Sequence, residues 1–458
     1  SAYKSRQTGI YYFEDYEKVD AVKKSIKKGE TSFNISKKLD IDKETITELV
    51  EIVEAENEIF WSINENSKGK QTVVIEPFIF ISWLQRKGFR KYYPDKSESP
   101  VLIFISENRV EETSEAKILD FVNSYIKNEE YSNVYNQFMV QKSLYSIASL
   151  NSLESIDFKM LEDTKDTSYI PFQNGVVKVN KDKVELVKYI NIDGYIWKNQ
   201  IIKRDFKSIE NSNNDFKDFV SKVSNNDSER IKSLETTLGY LTHTYKDKSD
   251  QKAIILNDQD IDDNPNGGSG KSLMLTALSH FRRIVKIDGK AFDPRKSDFV
   301  YQRVNLDTQI LSFDDVKKNF DFEYLFSLIT EGITVNRKNK DEIFIPFERS
   351  PKIVITTNYV INGSGASHDR RRHELEFYQY FNNRRSPLDV YGRLLFDSWN
   401  KEDWCKFDNY MVDNLQLFLN EGLAEVKSIN ADAKRFIQTT NKDFYDFVEE
   451  GNLAVNIR

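Results

Sequence analysis

The sequence predicts an α/β fold in which helices cover a parallel sheet, with an α+β region before it and a helical region after it. Two observations support this fold class. Between residues 250 and about 380, short apolar β-runs alternate with helical segments, which is typical of a parallel sheet buried on both faces. A glycine-rich segment also lies directly before an apolar helix. The β-runs are Ala253–Leu256, Ile284–Ile287, Thr308–Phe313 and Lys352–Thr357.

Length and composition exclude several classes of protein. At roughly 150 residues per domain, the 458 residues suggest about three domains. The net charge of −7, from 66 basic and 73 acidic residues, excludes a protein held to nucleic acid by bulk positive charge. A single cysteine and four histidines exclude a disulfide framework and a zinc finger.

The sequence also bears on the cellular compartment. No apolar run approaches the ~20 residues that span a bilayer, and no signal peptide opens the chain. The first residue is Ser, so we expect a processed or cut chain. A reducing cytoplasmic compartment is therefore expected, with no membrane partner.

Composition and periodicity suggest four regions: a helical module at 1–68, an α+β region at 69–245, the α/β core at 246–380 and a helical region at 381–458. The apolar spacing of residues 35–50 matches a helix-turn-helix pattern. Its second helix continues into Glu48, Glu51 and Glu54, and an anionic face repels phosphate. Docking of a partner is therefore favoured over base reading for this module.

The strongest chemical signal is the segment Asn264–Ser272, which has the features of a phosphate-binding loop. Its glycines allow backbone N–H groups to turn inward around phosphate oxygens, and the following helix N-terminus favours negative charge. One departure is that Pro265 stands where such loops usually have their first glycine. The alternative is a glycine-rich turn that caps a structural helix. The predicted nucleotide-binding residues are Gly267, Gly268, Ser269, Gly270, Lys271 and Ser272.

Two carboxylates, Asp314 and Asp315, follow the third β-run. In isolation such a pair is more often a turn or a helix cap. Some 40 residues after a phosphate loop, we expect Asp314 and the Ser272 hydroxyl to hold Mg²⁺ and Asp315 to orient or deprotonate an attacking water.

Two further signals follow along the chain. Asn358 ends the β-run Lys352–Thr357, where an amide next to a γ-phosphate could position water; otherwise it is an ordinary strand end. Asp369–His373 is a compact basic cluster, and an arginine is suited to stabilise charge on a transferred phosphoryl group. A solvated basic turn is the alternative.

The order of these motifs resembles the superfamily 3 helicases, AAA+ motors of DNA viruses, phages and plasmids. The motifs are Gly-Lys-Ser, Phe-Asp-Asp, Lys-Ile-Val-Ile-Thr-Thr-Asn, and paired arginines before Phe377. The sequence is most similar to the poxvirus-type primase-helicase branch, in which a segment like Phe172–Val177 precedes the motor. The resemblance implies an AAA+ P-loop NTPase core that uses ATP and Mg²⁺.

The resemblance also implies residue roles. Lys271 and Ser272 take the Walker A roles, Asp314 and Asp315 the Walker B roles, and Asn358 is sensor 1. Arg370 and Arg371 match the arginines that reach into a neighbouring subunit, although Arg372 makes the choice among the three ambiguous.

A basic hairpin is predicted between the carboxylates and Asn358. Ile333–Phe347 contains two β-runs around a polar turn that carries Arg337, Lys338 and Lys340. From the pattern alone, contact with DNA phosphates and an ordinary soluble hairpin tip are equally supported. The resemblance, which implies a DNA-contacting hairpin here, favours DNA.

Together these signals predict an ATP-dependent replicative DNA helicase of a phage or mobile element. Expected partners are single-stranded or forked DNA, further copies of the chain in a hexameric ring, and a primase-polymerase or other replication proteins. Residues 1–130 contain no convincing primase, so we expect any such domain to lie before residue 1. The alternatives are an AAA+ loader, initiator or defence ATPase without unwinding, and an ATP-locked DNA-binding scaffold.

Overall fold

The computed structural model describes residues 2–4, 11–13, 39, 60–65, 67, 70–128, 132–249, 251–259, 268–338, 340–361, 363, 365–382 and 384–451. The chain forms two compact units. The first comprises Ser1–Met160 and Gly194–Lys198, and the second comprises Leu161–Asp193 and Asn199–Arg458.

The first unit is an α+β structure. Its four-stranded sheet has the order β11-β7-β6-β5, in which only the β11–β7 pair is parallel. Two short antiparallel pairs, β1–β2 and β3–β4, lie outside this sheet. The strands are β1 Ala2–Lys4, β2 Tyr11–Phe13, β3 Ser62–Glu65, β4 Gln71–Val74, β5 Phe89–Tyr92, β6 Val101–Ser106, β7 Arg109–Glu112 and β11 Ile196–Trp197. The helices are α1 Pro77–Arg86, α2 Glu115–Asn128, α3 Ser132–Val140 and α4 Ile147–Leu150, with a 3₁₀ turn at Lys142–Tyr145.

Aromatic side chains dominate the core of the first unit. Trp83 and Phe60 are fully buried, and their ring centroids lie 4.6 Å apart. Phe80 of the same helix and Phe138 of α3 complete the cluster. Pro77 begins α1 at a position where its missing N–H leaves no helical hydrogen bond unmade.

The second unit contains the predicted parallel sheet. Five parallel strands have the order β13-β14-β17-β12-β18, and a three-stranded antiparallel sheet has the order β10-β9-β8. Strands β15 and β16 form a separate hairpin. The strands are β8 Thr167–Phe172, β9 Gly175–Asn180, β10 Val184–Val187, β12 Ala253–Asp258, β13 Ile284–Asp288, β14 Ile310–Val316, β15 Gly332–Arg337, β16 Lys340–Pro346, β17 Lys352–Thr357 and β18 Arg372–Phe377.

Helices pack around these sheets. They are α5 Asp215–Val223, α6 Ser228–Thr242, α7 Lys271–Ser279, α8 Phe326–Thr330, α9 Ala366–Asp369, α10 Pro387–Tyr391, α11 Lys401–Glu421, α12 Ala431–Thr439 and α13 Lys442–Glu450. Short 3₁₀ turns occur at Tyr189–Asn191, Lys198–Gln200, Phe322–Leu325 and Phe347–Arg349. Helices α6 and α11 approach closely at Gly239, where a Cβ atom would lie 2.2 Å from the carbonyl oxygen of Asn414.

The buried guanidinium of Arg282 joins the segment before the antiparallel sheet to the helices behind the parallel one. It donates to the carbonyl oxygens of Thr242 (2.7 Å) and Tyr169 (3.2 Å) and lies 3.7 Å from the Asp163 carboxylate. Such a buried charge is tolerated only with this many partners. This network ties Asp163 and β8 to α6 within the second unit.

The predicted β-runs are confirmed as β12, β13, β14 and β17, and the predicted hairpin as β15–β16. Every residue of β12 and β17 is buried, which explains why both lack a polar alternation. The α/β fold class with a parallel sheet is therefore confirmed.

One strand of the parallel sheet was not predicted. Strand β18 begins within the segment that the sequence suggested to be a basic turn. His373, Leu375 and Phe377 are buried while the charged residues between them are half-buried. These alternating charges conceal the strand in the sequence. In the structure it is the outermost strand of the sheet and pairs with β12 along its whole length.

The sequence predicted a helical module at 1–68. The described residues of this region instead include three strands, β1 to β3. Tyr11-Tyr-Phe13 has the aromatic composition that favours a strand. The predicted helix-turn-helix at 35–50 lies, apart from Leu39, outside the described residues. The division of the chain into four regions stays a prediction.

Within the described ranges, none of the helices is both long enough and apolar enough to cross a membrane.

Candidate functional site

The carboxyl ends of three neighbouring strands meet at one edge of the parallel sheet. Strands β14, β17 and β12 are adjacent and parallel, so the residues at their ends lie side by side. These residues are Asp314, Asp315, Asn358 and Asp258. Ligands of open parallel sheets bind outside this edge, so the strand order brings the predicted Asp and Asn residues to the expected place.

The glycine-rich loop leads from β12 to α7. Residues 260–267, including Gly267, lie outside the described residues. Gly268 (φ 81°) and Gly270 (φ 107°) have left-handed backbone conformations that favour glycine. Gly270 caps α7, and a Cβ atom there would lie 2.6 Å from the Phe219 ring. Both backbone conformation and packing therefore require glycine at position 270.

Lys271, the first residue of α7, is only 9% exposed, and its ammonium joins the loop to two strand ends. Nζ lies 2.5 Å from Asp258 Oδ1 and donates to Asn358 Oδ1 at 2.8 Å. Ser269 Oγ lies 3.4 Å from the same Nζ and also donates to Asp258. The structure thus brings together three predicted site residues, Lys271, Asn358 and Ser269.

Asp258 was not among the residues predicted from the sequence. It is 5% exposed, and it provides the negative charge that balances the buried ammonium of Lys271. The signal was its position at the end of an apolar β-run that leads into a phosphate-binding loop, where a polar residue faces the site.

The electrostatics of Lys271 link the loop to the predicted carboxylates. Burial lowers the pKa of the Lys271 ammonium, and the charges of Asp258, Asp315 and Asp314 act in the opposite direction. All three carboxylates are therefore close enough to influence the same ammonium.

Asp314 and Asp315 have different surroundings. Asp314 Oδ1 accepts a hydrogen bond from the Thr356 hydroxyl at 2.7 Å, and among the described residues its Oδ2 has no hydrogen-bond donor. Asp315 has a left-handed backbone (φ 55°), and its Oδ2 lies 2.5 Å from Lys290 Nζ. Thr356, on the neighbouring strand, is a second residue that the sequence did not single out.

The residues fit a magnesium nucleotide in the chemistry of their donors. The buried Lys271 ammonium and the N-terminus of the nine-residue helix α7 favour phosphate oxygens. The Ser272 side chain is exposed at the same end of the helix, and Asp314 is half-buried. In the part of the chain that the structure describes, no group of three or more His, Cys, Asp or Glu residues could hold a metal alone. A hard cation here would thus need phosphate or water oxygens besides Ser272 and Asp314.

The three predicted arginines lie near the opposite edge of the sheet. Arg372 begins β18 and pairs in register with Ala253, the first residue of β12. The length of β12 puts about 16 Å between this edge and Asp258, at a rise of about 3.3 Å per residue. The arginines therefore lie away from the phosphate loop of their own subunit.

The surroundings of the three arginines differ. Arg372 is held by Asp369 Oδ1 at 3.1 Å and Glu374 Oε1 at 3.3 Å. The Arg371 guanidinium lies 4.5 Å from the Phe326 ring centroid, and burial lowers its pKa. The Arg370 side chain is exposed and forms no hydrogen bond or ion pair with other described residues; its backbone N–H donates to the Ala366 carbonyl oxygen. Of the three, Arg370 is the one available to another molecule.

The cations of the β15–β16 hairpin differ in their exposure to solvent. Arg337 is half-buried, and its Nη2 donates to Asn305 Oδ1 at 3.3 Å. Lys338 is exposed at the turn. Arg337 pairs with Lys340 across the strands, and the side chain of Lys340 lies outside the described part.

The solved structures to which the chain is similar include the NrS-1 C-terminal region and JCV Helicase. The chain is 16% identical to the apo structure of the NrS-1 C-terminal region, with a TM-score of 0.41, over 83% of this chain and 84% of that one. A second structure of that region gives 15% identity and a TM-score of 0.40 over the same shares. JCV Helicase, bound to a thiazolopyridine-bearing acetamide, is 14% identical, with a TM-score of 0.26 over 52% of this chain and 61% of that one. No protein-family model matches the chain, and no curated protein matches it by sequence.

Proposed function

We propose that the chain is an ATP-dependent DNA helicase of a phage or mobile element that acts as an oligomeric ring on single-stranded DNA. The observation that carries the proposal is the position of Lys271. Its ammonium lies 2.8 Å from Asn358 Oδ1 and is influenced by Asp314 and Asp315, so a loop lysine and the ends of three adjacent strands form one site.

In this proposal each residue has one task. Lys271 and the amides of the glycine loop bind the β- and γ-phosphates of ATP. Ser272 and Asp314 hold Mg²⁺, which when bound neutralises phosphate charge. Asp315 orients or deprotonates the attacking water, and Asn358 positions it.

Catalysis is completed by a neighbouring subunit in this proposal. The support is the location of Arg370, which is exposed and lies near the sheet edge opposite its own site. A head-to-tail contact between subunits brings one edge to the other and closes into a ring if the rotation permits. The resemblance to superfamily 3 helicases implies six subunits.

DNA contact is assigned to the exposed tip of the β15–β16 hairpin. Lys338 is exposed there, and Lys340 begins the second strand. Cations at a hairpin tip bind phosphates without reading bases, which suits a protein that moves along DNA. Host-cell cytoplasm and a replication partner such as a primase-polymerase belong to the same proposal.

The proposal is tested by measuring ATP hydrolysis and strand displacement on forked DNA with the same protein. We expect the wild type to show both activities. Lys271→Ala should lose both, because the phosphates lose their positive partner. The variant also leaves the buried Asp258 carboxylate without its counter-charge, so thermal unfolding is measured alongside to show that it is folded. Lys286→Ala, which removes an exposed lysine of β13, is the matched control and should keep both.

Other outcomes identify the alternatives. Turnover without strand displacement would indicate a loader, initiator or defence ATPase. Neither activity, together with tight ATP binding, would indicate an ATP-locked scaffold. Wild-type turnover in Lys271→Ala would remove the glycine loop from the active site.

Asp315→Asn separates binding from chemistry. Nucleotide should still bind, while hydrolysis should fall by about 10² or more because the water is no longer oriented or deprotonated. Loss of binding with unchanged turnover per bound ATP would show that the two carboxylates have been assigned the wrong roles.

A further inference from the structure

The two carboxylates at the end of β14 lie in a β-bulge. Phe313 pairs with Ile355 and Val316 pairs with Thr357. Two residues of β14, Asp314 and Asp315, therefore face a single residue of β17, Thr356. A bulge leaves one residue unpaired and changes the direction of side chains, and bulges are enriched beside active sites.

The side chain of Thr356, not its backbone, forms the hydrogen bonds to the two residues of the bulge. Its hydroxyl donates to Asp314 Oδ1 at 2.7 Å and accepts the backbone N–H of Asp315, also at 2.7 Å. A hydroxyl has one donor and two acceptor sites, so this single group uses its only proton on the first carboxylate. Thr356 is 2% exposed, which limits competition from water.

The bond to Asp315 supports an unfavourable backbone. Asp315 has φ 55°, a left-handed conformation that costs most residues with a Cβ atom about 1–2 kcal/mol, although Asp adopts it more readily than most. Such conformations persist where neighbouring groups hold them. The Thr356 hydroxyl is one such group, because it binds the amide of the strained residue.

We infer that Thr356 is a positioning residue that fixes the directions of both Asp314 and Asp315. The inference rests on the proposed function, because it gives the two carboxylates their roles toward Mg²⁺ and water. Thr356 keeps Oδ1 of Asp314 occupied, which leaves Oδ2 for the hydration shell of the cation. It also sets the backbone from which the Asp315 side chain projects.

The neighbouring Thr357 offers a matched control. It is also fully buried, and its hydroxyl accepts the Tyr359 N–H at 3.0 Å. Its other contacts are the carbonyl oxygens of Tyr359 (3.2 Å) and Val316 (3.3 Å). Loss of the Thr357 hydroxyl therefore removes contacts with the backbone of Tyr359, after β17, and of Val316, in β14, without touching either carboxylate.

The test compares Thr356→Val, Thr356→Ser and Thr357→Val. Nucleotide affinity is measured by titration calorimetry in Mg²⁺ and in EDTA, and ATP hydrolysis is measured in parallel. For Thr356→Val we expect unchanged affinity in EDTA, an about 10-fold smaller gain in affinity from Mg²⁺, and a kcat about 10–100-fold lower, the usual size for partners of metal-binding carboxylates. KM for the magnesium nucleotide should rise by up to about 10-fold, in step with the affinity in Mg²⁺, whereas the affinity in EDTA depends on the intact phosphate-binding lysine and should not change.

The control variants separate positioning from stability. Thr356→Ser retains the hydroxyl and should stay within about threefold of the wild type in every measurement. Thr357→Val should lower the melting temperature as much as Thr356→Val but keep the gain in affinity from Mg²⁺. If Thr356→Val fails to fold, Thr356→Ala replaces it in the same comparison.

Equal losses of kcat in Thr356→Val and Thr357→Val would overturn the inference, as would an unchanged gain from Mg²⁺ in Thr356→Val or a failure of Thr356→Ser to retain activity. These results presuppose a wild type that binds and hydrolyses ATP. A wild type that does neither overturns the proposed function itself, and the two failures are therefore distinguishable.

Discussion

The two edges of the five-stranded parallel sheet carry opposite charges. At the carboxyl edge, the strand ends provide Asp258, Asp314 and Asp315 around one buried lysine. At the amino edge, every strand of this sheet except β14 begins at or next to a cation, among them Lys352 and Arg372. The same sheet thus separates an acidic edge from a basic one.

The cations of the amino edge have fixed partners. Lys352 Nζ donates to the Tyr240 carbonyl oxygen at 2.8 Å and lies 3.7 Å from the centroid of the same residue's ring. Arg372 is held between Asp369 and Glu374. These contacts tie neighbouring elements together and leave Arg370 as the exposed exception.

At the carboxyl edge, the contacts of the buried lysine are ones that a bound ligand could replace. Lys271 is held by the side chains of Asp258, Asn358 and Ser269, each of which a phosphate oxygen could replace. In the proposed function, the basic edge serves mainly stability, the acidic edge serves binding, and Arg370 links the two edges between subunits. Four predictions test this difference.

The largest effect is expected for Arg370→Ala. Loss of an arginine finger lowers turnover by ~10³ or more, while Arg372→Ala should mainly lower the melting temperature because it frees Asp369 and Glu374. Steady-state hydrolysis and thermal unfolding of both variants separate the two roles.

Mixing experiments extend this test. Arg370→Ala/Arg371→Ala protein mixed with Lys271→Ala protein should regain some activity, because a mixed interface combines an intact lysine with intact arginines. Turnover per subunit should also rise steeply with protein concentration. No recovery in mixtures shown to assemble, or a rate per subunit that is independent of concentration below the assembly range, would place catalysis within one subunit.

The second prediction concerns Lys246, next to the amino edge. Burial lowers the pKa of its ammonium to about 7, which Glu348 partly opposes. Nζ donates to Ser350 Oγ at 2.6 Å, two residues before β17, and lies 4.4 Å from the Phe347 ring centroid. Lys248, which pairs with Glu348 at 3.1 Å, is the other cation beside this ring.

The direction in which Lys246 changes stability with pH follows from proton linkage. Between pH 7 and the ordinary lysine pKa, the unfolded chain binds more protons than the folded one, so stability rises with pH. Relative to Lys246→Met, the wild type should gain about 2 kcal/mol of unfolding free energy between pH 7 and pH 9. Denaturant titrations at both pH values measure this gain, and parallel curves for the two proteins would show that Lys246 titrates normally.

The third prediction concerns Asp258 at the carboxyl edge. Asp258→Asn removes a negative charge that competes with phosphate for Lys271, so nucleotide should bind about tenfold more tightly. The nucleotide-free protein should become less stable, because the buried ammonium loses its counter-charge. The nucleotide affinity measured by calorimetry should therefore rise, and the melting temperature of the nucleotide-free protein should fall.

Asp288→Asn is the control for Asp258→Asn. Asp288 ends β13 at the same edge with an exposed side chain and should show neither effect. Weaker nucleotide binding in Asp258→Asn would mean that Asp258 supports the bound state instead of competing with it.

The smallest effect is expected at the hairpin, whose cations belong to neither edge. Replacing Lys338 and Lys340 by Ala should weaken single-stranded DNA binding severalfold for all sequences and reduce the salt slope by about 1.4, at about 0.7 per phosphate contact. Basal ATP hydrolysis should survive. Arg337→Ala should change the salt slope less than the double replacement, because Arg337 is held by Asn305. Fluorescence anisotropy at several salt concentrations measures both slopes, and a larger change for Arg337→Ala would contradict this prediction.

Local sequence patterns were sufficient for much of the sheet and part of the site. Runs of apolar β-formers identified β12, β13, β14 and β17, because a strand buried on both faces has no polar alternation. The glycine–lysine segment indicated a loop before a helix, because left-handed backbone and a helix N-terminus both follow from local residue chemistry. These features depend on residues that are neighbours in the chain.

The contacts within the site were decided by tertiary structure. Lys271 reaches Asn358 across 87 residues, and Thr356 reaches Asp314 across 42, because β14, β17 and β12 are adjacent in the sheet. Asp258, Thr356 and the distinction between Arg370 and its neighbours all depend on this strand order. Residue spacing determines the period and the turns of single elements, whereas pairing between distant strands determines which side chains meet.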